Sequence, residues 1–300
     1  MEIYNEFSKV YDHFMEDVPY DEWGEFIREM LLTYGVQEGR GACVFQDKEP
    51  SKPPLVLDLG CGTGAMTERL ASYGYEMIGI DHSSSMLEMA KNKEESSHHN
   101  ILYLLQDMRE FELYGSVAAV VCVCDSINYI LELDDLKQVF RLVNHYLDPG
   151  GLFIFDFNTD YKYREVIGNQ TIAENREDKS FIWENHYYEE ERINEIELSL
   201  FIKEDSDKSV NPSVEDQIKF AKGSVQDKPT SYSRDGEEVR GEPYRRYIET
   251  HLQRAYHLKE IKEALEETGL ELIKAYDDYT GEEVHEESWR IVVVSKKSKS

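Results

Sequence analysis

Apolar residues recur at helical spacing near the start of the chain. Phe7, Tyr11 and Phe14 form one stripe, and Trp23, Phe26, Ile27, Met30 and Leu31 form a second, which predicts helices over residues 1–48. "QDKEPSKPP" then reads as a linker ending in two prolines. Beyond it, short apolar runs alternate with amphipathic ones. "LVLDLG", "EMIGID", "ILYLLQ", "VAAVVCVCD" and "GLFIFDFN" predict strands. "AMTERLASYG", "SSMLEMAKNK" and "LDDLKQVFRLVNHYL" between them predict helices, the last stopped by Pro149 and Gly150. "VAAVVCVCD" is apolar throughout, as a central parallel strand is. This βαβα order predicts an open, mostly parallel sheet with helices on both faces.

The period changes after residue 160. "KSFIWENHYYEEERINEIELSLFI" and "PYRRYIETHLQRAYH" alternate polar and apolar positions, which predicts an antiparallel sheet with one wet face. The stretch from 204 to 243 between them is charged and poor in large apolar residues, and is expected to be flexible. The parallel pattern resumes in "LKEIKEALEETG", "LELIKAYDDY" and "WRIVVVSKK". The expected organisation is therefore a core of residues 1–160 and 255–300, with 161–254 inserted as a lid.

Composition narrows the class of partner. Of 300 residues, 40% are hydrophobic, and 61 acidic against 33 basic side chains give a net charge of −28. Such a field repels nucleic acids and anionic membrane surfaces and suits a neutral or cationic small molecule. Cys43, Cys61, Cys122 and Cys124 form no C-x-x-C pair and read as small hydrophobes of a reducing compartment. No apolar run approaches the roughly 18 residues of a membrane span, and the first residues have neither the cationic start nor the apolar core of a signal peptide. The expected location is the cytoplasm. No metal site is expected.

The candidate chemistry begins at "LVLDLGCGTGAMTERL", where Gly60, Gly62 and Gly64 turn a strand into a helix. Glycines there let backbone approach a ligand. Ala65 completes a G-x-G-x-x-A pattern and Asp81 ends the next strand, so a nicotinamide dinucleotide fits these facts alone. Three observations oppose it. Asp58 stands where a pyrophosphate would lie, Asp125 adds a second acid to the strand ends, and no Lys or Arg occurs between Pro53 and Glu68. S-adenosylmethionine, with its sulfonium, ammonium and adenosine, suits such an acidic rim better.

At this point a family resemblance enters. "VLDLGCGTG" resembles the first motif of the class I S-adenosylmethionine-dependent methyltransferases, and "IGIDHSSSML", "LLQDMREF" and "LDPGGLFIFDFN" resemble the motifs that follow it in order. The resemblance implies a Rossmann-like seven-stranded α/β sheet with its last strand antiparallel, N-terminal helices and an inserted antiparallel lid. It implies a cofactor site made by Gly60, Gly62, Gly64, Asp58, Asp81, Met86, Asp107, Met108 and Asp125. Within it Asp81 would bind the ribose, Asp107 the adenine amino group, and Met108 would pack on the ring. A helix cap is the plainer role for Asp81, but Ser83 or Ser84 can fill that place. The N-terminal "YNEFSKVYDHFM" is similar to small-molecule members of this class, sugar-amine N-methyltransferases among them, and implies that Tyr11 and Asp12 help close the site.

"YIETHLQRAY" resembles the strand with which those enzymes roof the substrate. Tyr247, Glu249 and His251 share one face of it, and Glu184, His186 and Tyr188 share a face of the facing segment. The plain alternative is a solvated sheet face. If a base is used, His251 or His186 is the candidate. The expected activity is methylation of a nitrogen or oxygen of a small molecule. The rivals are a nicotinamide-dependent oxidoreductase, a non-enzymatic binder, and a methyltransferase of protein or RNA. The acceptor and the oligomeric state stay open, a homodimer included.

Overall fold

The computed structural model describes residues 8, 11–12, 15–38, 52–176, 178–203, 231–232, 238–239 and 244–298. The expectations for Phe7 and Phe14, and most of the 204–243 stretch, lie outside the described residues.

Trp23, Ile27 and Leu31 are buried along one side of α1 (Tyr20–Thr33), as the spacing requires. The α/β alternation then follows: β1 (Leu55–Leu59), α2 (Ala65–Ser72), β2 (Glu76–Asp81), α3 (Ser84–Ser97), β3 (Leu102–Leu105), β4 (Val117–Cys122), α4 (Leu133–Tyr146) and β5 (Leu147–Asn158). A second group comprises β6 (Thr171–Asn175), β7 (Lys179–Tyr188), β8 (Ile193–Lys203), the two-residue pair β9 (Ser231–Tyr232) and β10 (Glu238–Val239), and β11 (Tyr244–Arg254). The chain closes with α5 (Leu258–Glu267), β12 (Leu270–Asp277), β13 (Glu282–Glu283) and β14 (Arg290–Lys297).

The main sheet has the order β13-β12-β14-β5-β4-β1-β2-β3. β1 to β5 pair in parallel, whereas β14 runs antiparallel between β5 and β12, with Arg290 opposite Asn158 and Val292 opposite Asp156. The expected seven strands are present with the last antiparallel. The short β13 hairpin, whose "EE" carries no strand signal, adds an eighth at the edge. Alternate strand residues feed two apolar layers. Leu57, Ile80, Val120, Phe153 and Phe155 pack with Val139 and Phe140 of α4 and Ile261 and Leu265 of α5. Val56, Met77, Val121, Ile154 and Val292 pack with α1 and with Met66 and Leu70 of α2. Among the described residues, no helix is long and apolar enough to cross a membrane.

The chain divides into two compact units. The first comprises Met1–Thr171, Glu184–Glu197 and Glu249–Ser300, the second Ile172–Trp183 and Leu198–Ile248. The antiparallel sheet has the order β11-β8-β7-β6. In the first unit Asn185 and Asn194 exchange side-chain hydrogen bonds of 2.9 Å, and Tyr187 stacks on Tyr163. In the second, Arg246 donates to Ser199 Oγ at 2.8 Å and lies over the Phe201 ring.

Candidate functional site

The β1-to-α2 turn holds Gly60, Gly62 and Gly64 at φ of +79°, +53° and +78°, which only glycine adopts without strain. Gly60 and Cys61 donate their amides to Ile80 O at 2.8 and 2.9 Å, pinning the turn to the end of β2. A Cβ on Gly64 would stand 2.5 Å from the Tyr103 hydroxyl, and one on Gly60 2.9 Å from Ser126 Cβ, whereas one on Gly62 would meet nothing within 4 Å. Two glycines are thus required by packing, and Gly62 presents bare backbone.

Asp81 joins this loop to the next helix. Its Oδ2 accepts from Gly62 N and its Oδ1 from Ser83 N, both at 2.8 Å. Burial raises its carboxyl against the pull of those amides. Ser83, not Asp81, caps α3, through the Met86 amide, so Met86 is a buried side chain whose backbone closes the cap. Asp58 is 1% exposed. Thr67 Oγ1 donates to its Oδ2 at 2.6 Å, and its Oδ1 has no hydrogen-bond partner among the described residues. Burial raises this carboxyl to about 7, with the charge of Asp81 adding and the Thr67 hydroxyl opposing.

The adenine candidates lie close to the loop at one point. Met108 Cε would be 3.3 Å from a Cβ on Gly60. Asp107 is clamped by Arg109, whose Nε reaches both carboxylate oxygens at 2.9 and 3.1 Å. The Arg109 hydrogen bonds pull the Asp107 carboxyl down. Tyr11 and Asp12 are helical. Asp12 accepts from Thr63 Oγ1 at 2.5 Å and from Lys93 Nζ at 2.7 Å, while Tyr11 hydrogen-bonds Tyr20. Of the expected pair Tyr11 and Asp12, it is Asp12 that touches the glycine loop.

The other half of the rim is built from distant side chains. Past β4, Cys124 and Asp125 take φ of 62° and 53°. Fully buried Asp156 accepts from the Cys124 and Asp125 amides at 3.2 and 2.7 Å and from the Tyr279 hydroxyl at 2.9 Å. Arg290, 6% exposed, stands 3.8 Å from Asp125 and 3.7 Å from Asp156, with its guanidinium 4.5 Å from the Trp23 ring centroid. Asp125 Oδ2 accepts from Gln253 Nε2 at 2.5 Å, and Gln253 Oε1 accepts from the Tyr163 hydroxyl at 3.0 Å. Buried Asn128 donates to Asn158 O and Arg254 O and accepts from Asn158 N.

On β11, Glu249, His251 and Gln253 point inward. His251 is 4% exposed, 3.5 Å from Glu249, and edge-on to Tyr129. His186 does not join them. Asn185 and Tyr187 take the inward positions of β7, so alternation turns His186 outward, where it is exposed beside Tyr188. The acidic rim also receives cations from outside residues 53–68. Arg109, Lys93 and Arg290 each stand against a rim or cover carboxylate. "QDMREF" displays Arg109 beside Asp107, but Arg290 enters only because β14 is antiparallel. Among the described residues no cluster of His, Cys, Asp and Glu suits a metal.

The donor set fits S-adenosylmethionine. Gly62 offers open backbone, Asp81 a carboxylate with lone pairs beyond its two amides, and Asp58 a buried oxygen awaiting a donor. Comparison with known proteins agrees. Residues 56–151 match the family model described as a methyltransferase domain. YqeM of Bacillus subtilis (strain 168), named as a methyltransferase, is 32% identical over 299 residues, 99% of this chain and 98% of that one. A solved S-adenosylmethionine-dependent methyltransferase from Clostridium acetobutylicum ATCC 824 has a TM-score of 0.74 and 27% identity, covering 98% of this chain and 99% of that chain. CalS10, an amino pentose methyltransferase from Micromonospora echinaspora solved with S-adenosylmethionine bound, shares the fold at a TM-score of 0.62 and 14% identity, covering 96% and 97%. With near full-length similarity and a rim that suits the methyl donor, the chain belongs to the S-adenosylmethionine-dependent methyltransferases.

Proposed function

We propose that this methyltransferase acts on a nitrogen or oxygen of a small molecule, held on the inward face of β11. The observation that carries this reading is His251, buried beside Glu249 and against Tyr129, which follows the β4 end of the cofactor rim. A net charge of −28 disfavours RNA as acceptor. The amino pentose methyltransferase of the same fold supports a small acceptor.

In this reading Gly60, Gly62, Gly64 and Asp81 hold the cofactor, with Asp107 and Met108 at the adenine. Asp58, Met86 and Asp125 support that site, and Tyr11 and Asp12 close it. S-adenosylmethionine supplies an electrophilic methyl group on a positive sulfur. The chain's task is to align the acceptor atom with that methyl and to exclude water, which contributes about 7–11 kcal/mol to lowering the barrier. His251 accepts the proton of a protonated acceptor, worth about 10²–10⁴-fold in rate, and Glu249 stabilises the imidazolium.

A panel of small amines, phenols and alcohols incubated with S-adenosylmethionine tests the proposal, read as S-adenosylhomocysteine formed. Turnover of at least one acceptor is expected, with His251→Asn lowering kcat about 10²-fold or more and leaving S-adenosylhomocysteine affinity unchanged. Turnover confined to protein or RNA acceptors overturns it.

A further inference from the structure

Among the described residues, the step out of β4 is the one place where two successive non-glycine residues, Cys124 and Asp125, are left-handed. Such backbone persists only where its surroundings hold it. The Asn128 amide on Asp125 O and the Tyr20 hydroxyl beside Cys124 Sγ contribute to the hold, but both amides of the step go to one side chain. Asp156 sits on the neighbouring strand with no exposed surface and accepts both amides of the step. A carboxylate does this well, because both its oxygens are acceptors.

Arg290 supplies the balancing charge in an unusual way. It faces Asp125, Asp156 and Asp278 at 3.7–3.8 Å, but its Nε and Nη1 have no hydrogen-bond partner among the described residues. The Trp23 and Trp289 rings flank it, with centroids 4.5 and 5.1 Å away. It offsets the acids without occupying their lone pairs. Asp156 stays available for the two amides, and Asp125 for Gln253.

The consequence runs to β11. Asp125 Oδ2 takes the side-chain amide of Gln253, which is two residues from His251 on the same strand face. Burial raises the Asp156 carboxyl, while Arg290, the Asp125 amide and the Tyr279 hydroxyl oppose that rise and favour the charged acceptor.

We propose that Asp156 is a positioning residue for methyl transfer: through its two amide bonds it keeps the Cys124–Asp125 step left-handed, aims Asp125 at Gln253, and thereby fixes the β11 face that carries Glu249 and His251. The kinetic part rests on the placement of the acceptor on that face.

The test uses the full chain with S-adenosylhomocysteine bound and reads solvent exchange of the Gln253 side-chain amide by NMR. Asp156→Asn keeps the shape but turns an NH₂ group toward one of the two amides. Gln253 exchange should quicken at least tenfold. Cys124→Gly added to Asp156→Asn should restore exchange to within threefold of the parent, because glycine takes the first left-handed position without support and aspartate is among the few residues that tolerate the second. Cys124→Gly alone should change nothing. A purely structural role for Asp156 would not be repaired by one glycine. Should Asp156→Asn fail to fold, the double variant gives the reading by itself: a protected Gln253 supports the proposal and a freely exchanging one overturns it. Unchanged exchange in Asp156→Asn overturns it whatever the acceptor is. With an acceptor from the panel, kcat in Asp156→Asn should fall at least tenfold at unchanged KM. Faster exchange with an unaltered kcat overturns instead the placement of the acceptor on β11.

Discussion

The two halves of the rim are tied down by different means. On the cofactor half, Gly60, Cys61 and Gly62 give backbone amides to Ile80 and Asp81 on the adjacent strand. On the β4–β5 half the ties are side chains distant in sequence: Asp125 to Gln253, Asn128 to Arg254, Tyr163 to Gln253. Backbone ties depend on chain geometry, which a short glycine motif encodes. Side-chain ties depend on which strands become neighbours, which no local motif encodes.

The largest test of this division falls at Asp58, where the cofactor half does rely on a buried side chain. Burial raises its carboxyl to about 7 from the ordinary 3.8. The folded chain therefore prefers the protonated form, and the stability this contributes is present at low pH and lost as pH rises from about 4 through about 7. Asp58→Asn keeps an acceptor for Thr67 and carries no charge. Its stability relative to the parent should climb by up to about 4 kcal/mol between pH 4 and pH 8, measured by urea unfolding at each pH. A difference that stays flat with pH means that Asp58 is not buried with its charge at stake.

The next test lies on the other half. Asn128→Ala removes three buried hydrogen bonds, at about 1 kcal/mol each. An unfolding free energy lower by about 3 kcal/mol is expected, with S-adenosylhomocysteine affinity by calorimetry within threefold of the parent. A matching loss of affinity would erase the distinction between the halves. The smallest effect sharpens it from the cofactor side. Asp81→Ala should weaken S-adenosylmethionine binding at least tenfold, about 2 kcal/mol for a charged hydrogen-bond acceptor, and unchanged affinity removes Asp81 from the site.

The same division explains what could be read from the sequence. The strand and helix order through residue 158 follows from apolar period, and the glycine loop and Asp81 follow from spacing. Asp156 could not be found this way. In "FIFDFN" it looks like any polar residue at a strand end, and its burial appears only once β14 and Tyr279 cover it. Arg290 opens the apolar run "RIVVV" and reads as a strand boundary. Asn128 belongs to a 3-10 turn with no periodic signal. His186 was ambiguous because both faces of "KSFIWENHYY" mix aromatic and polar residues, so alternation fixes the period but not which face is inward.

The reversed direction of β14 has a practical side. Had it run parallel to β5, its last residues would stand at the rim. Instead Arg290 stands there, and Lys297 lies at the opposite edge of the sheet, roughly 24 Å along the strand. Whatever follows Lys297 in the chain leaves from the edge remote from the chemistry. A fluorophore or surface tether attached there would report on the protein without standing in the path of cofactor or acceptor.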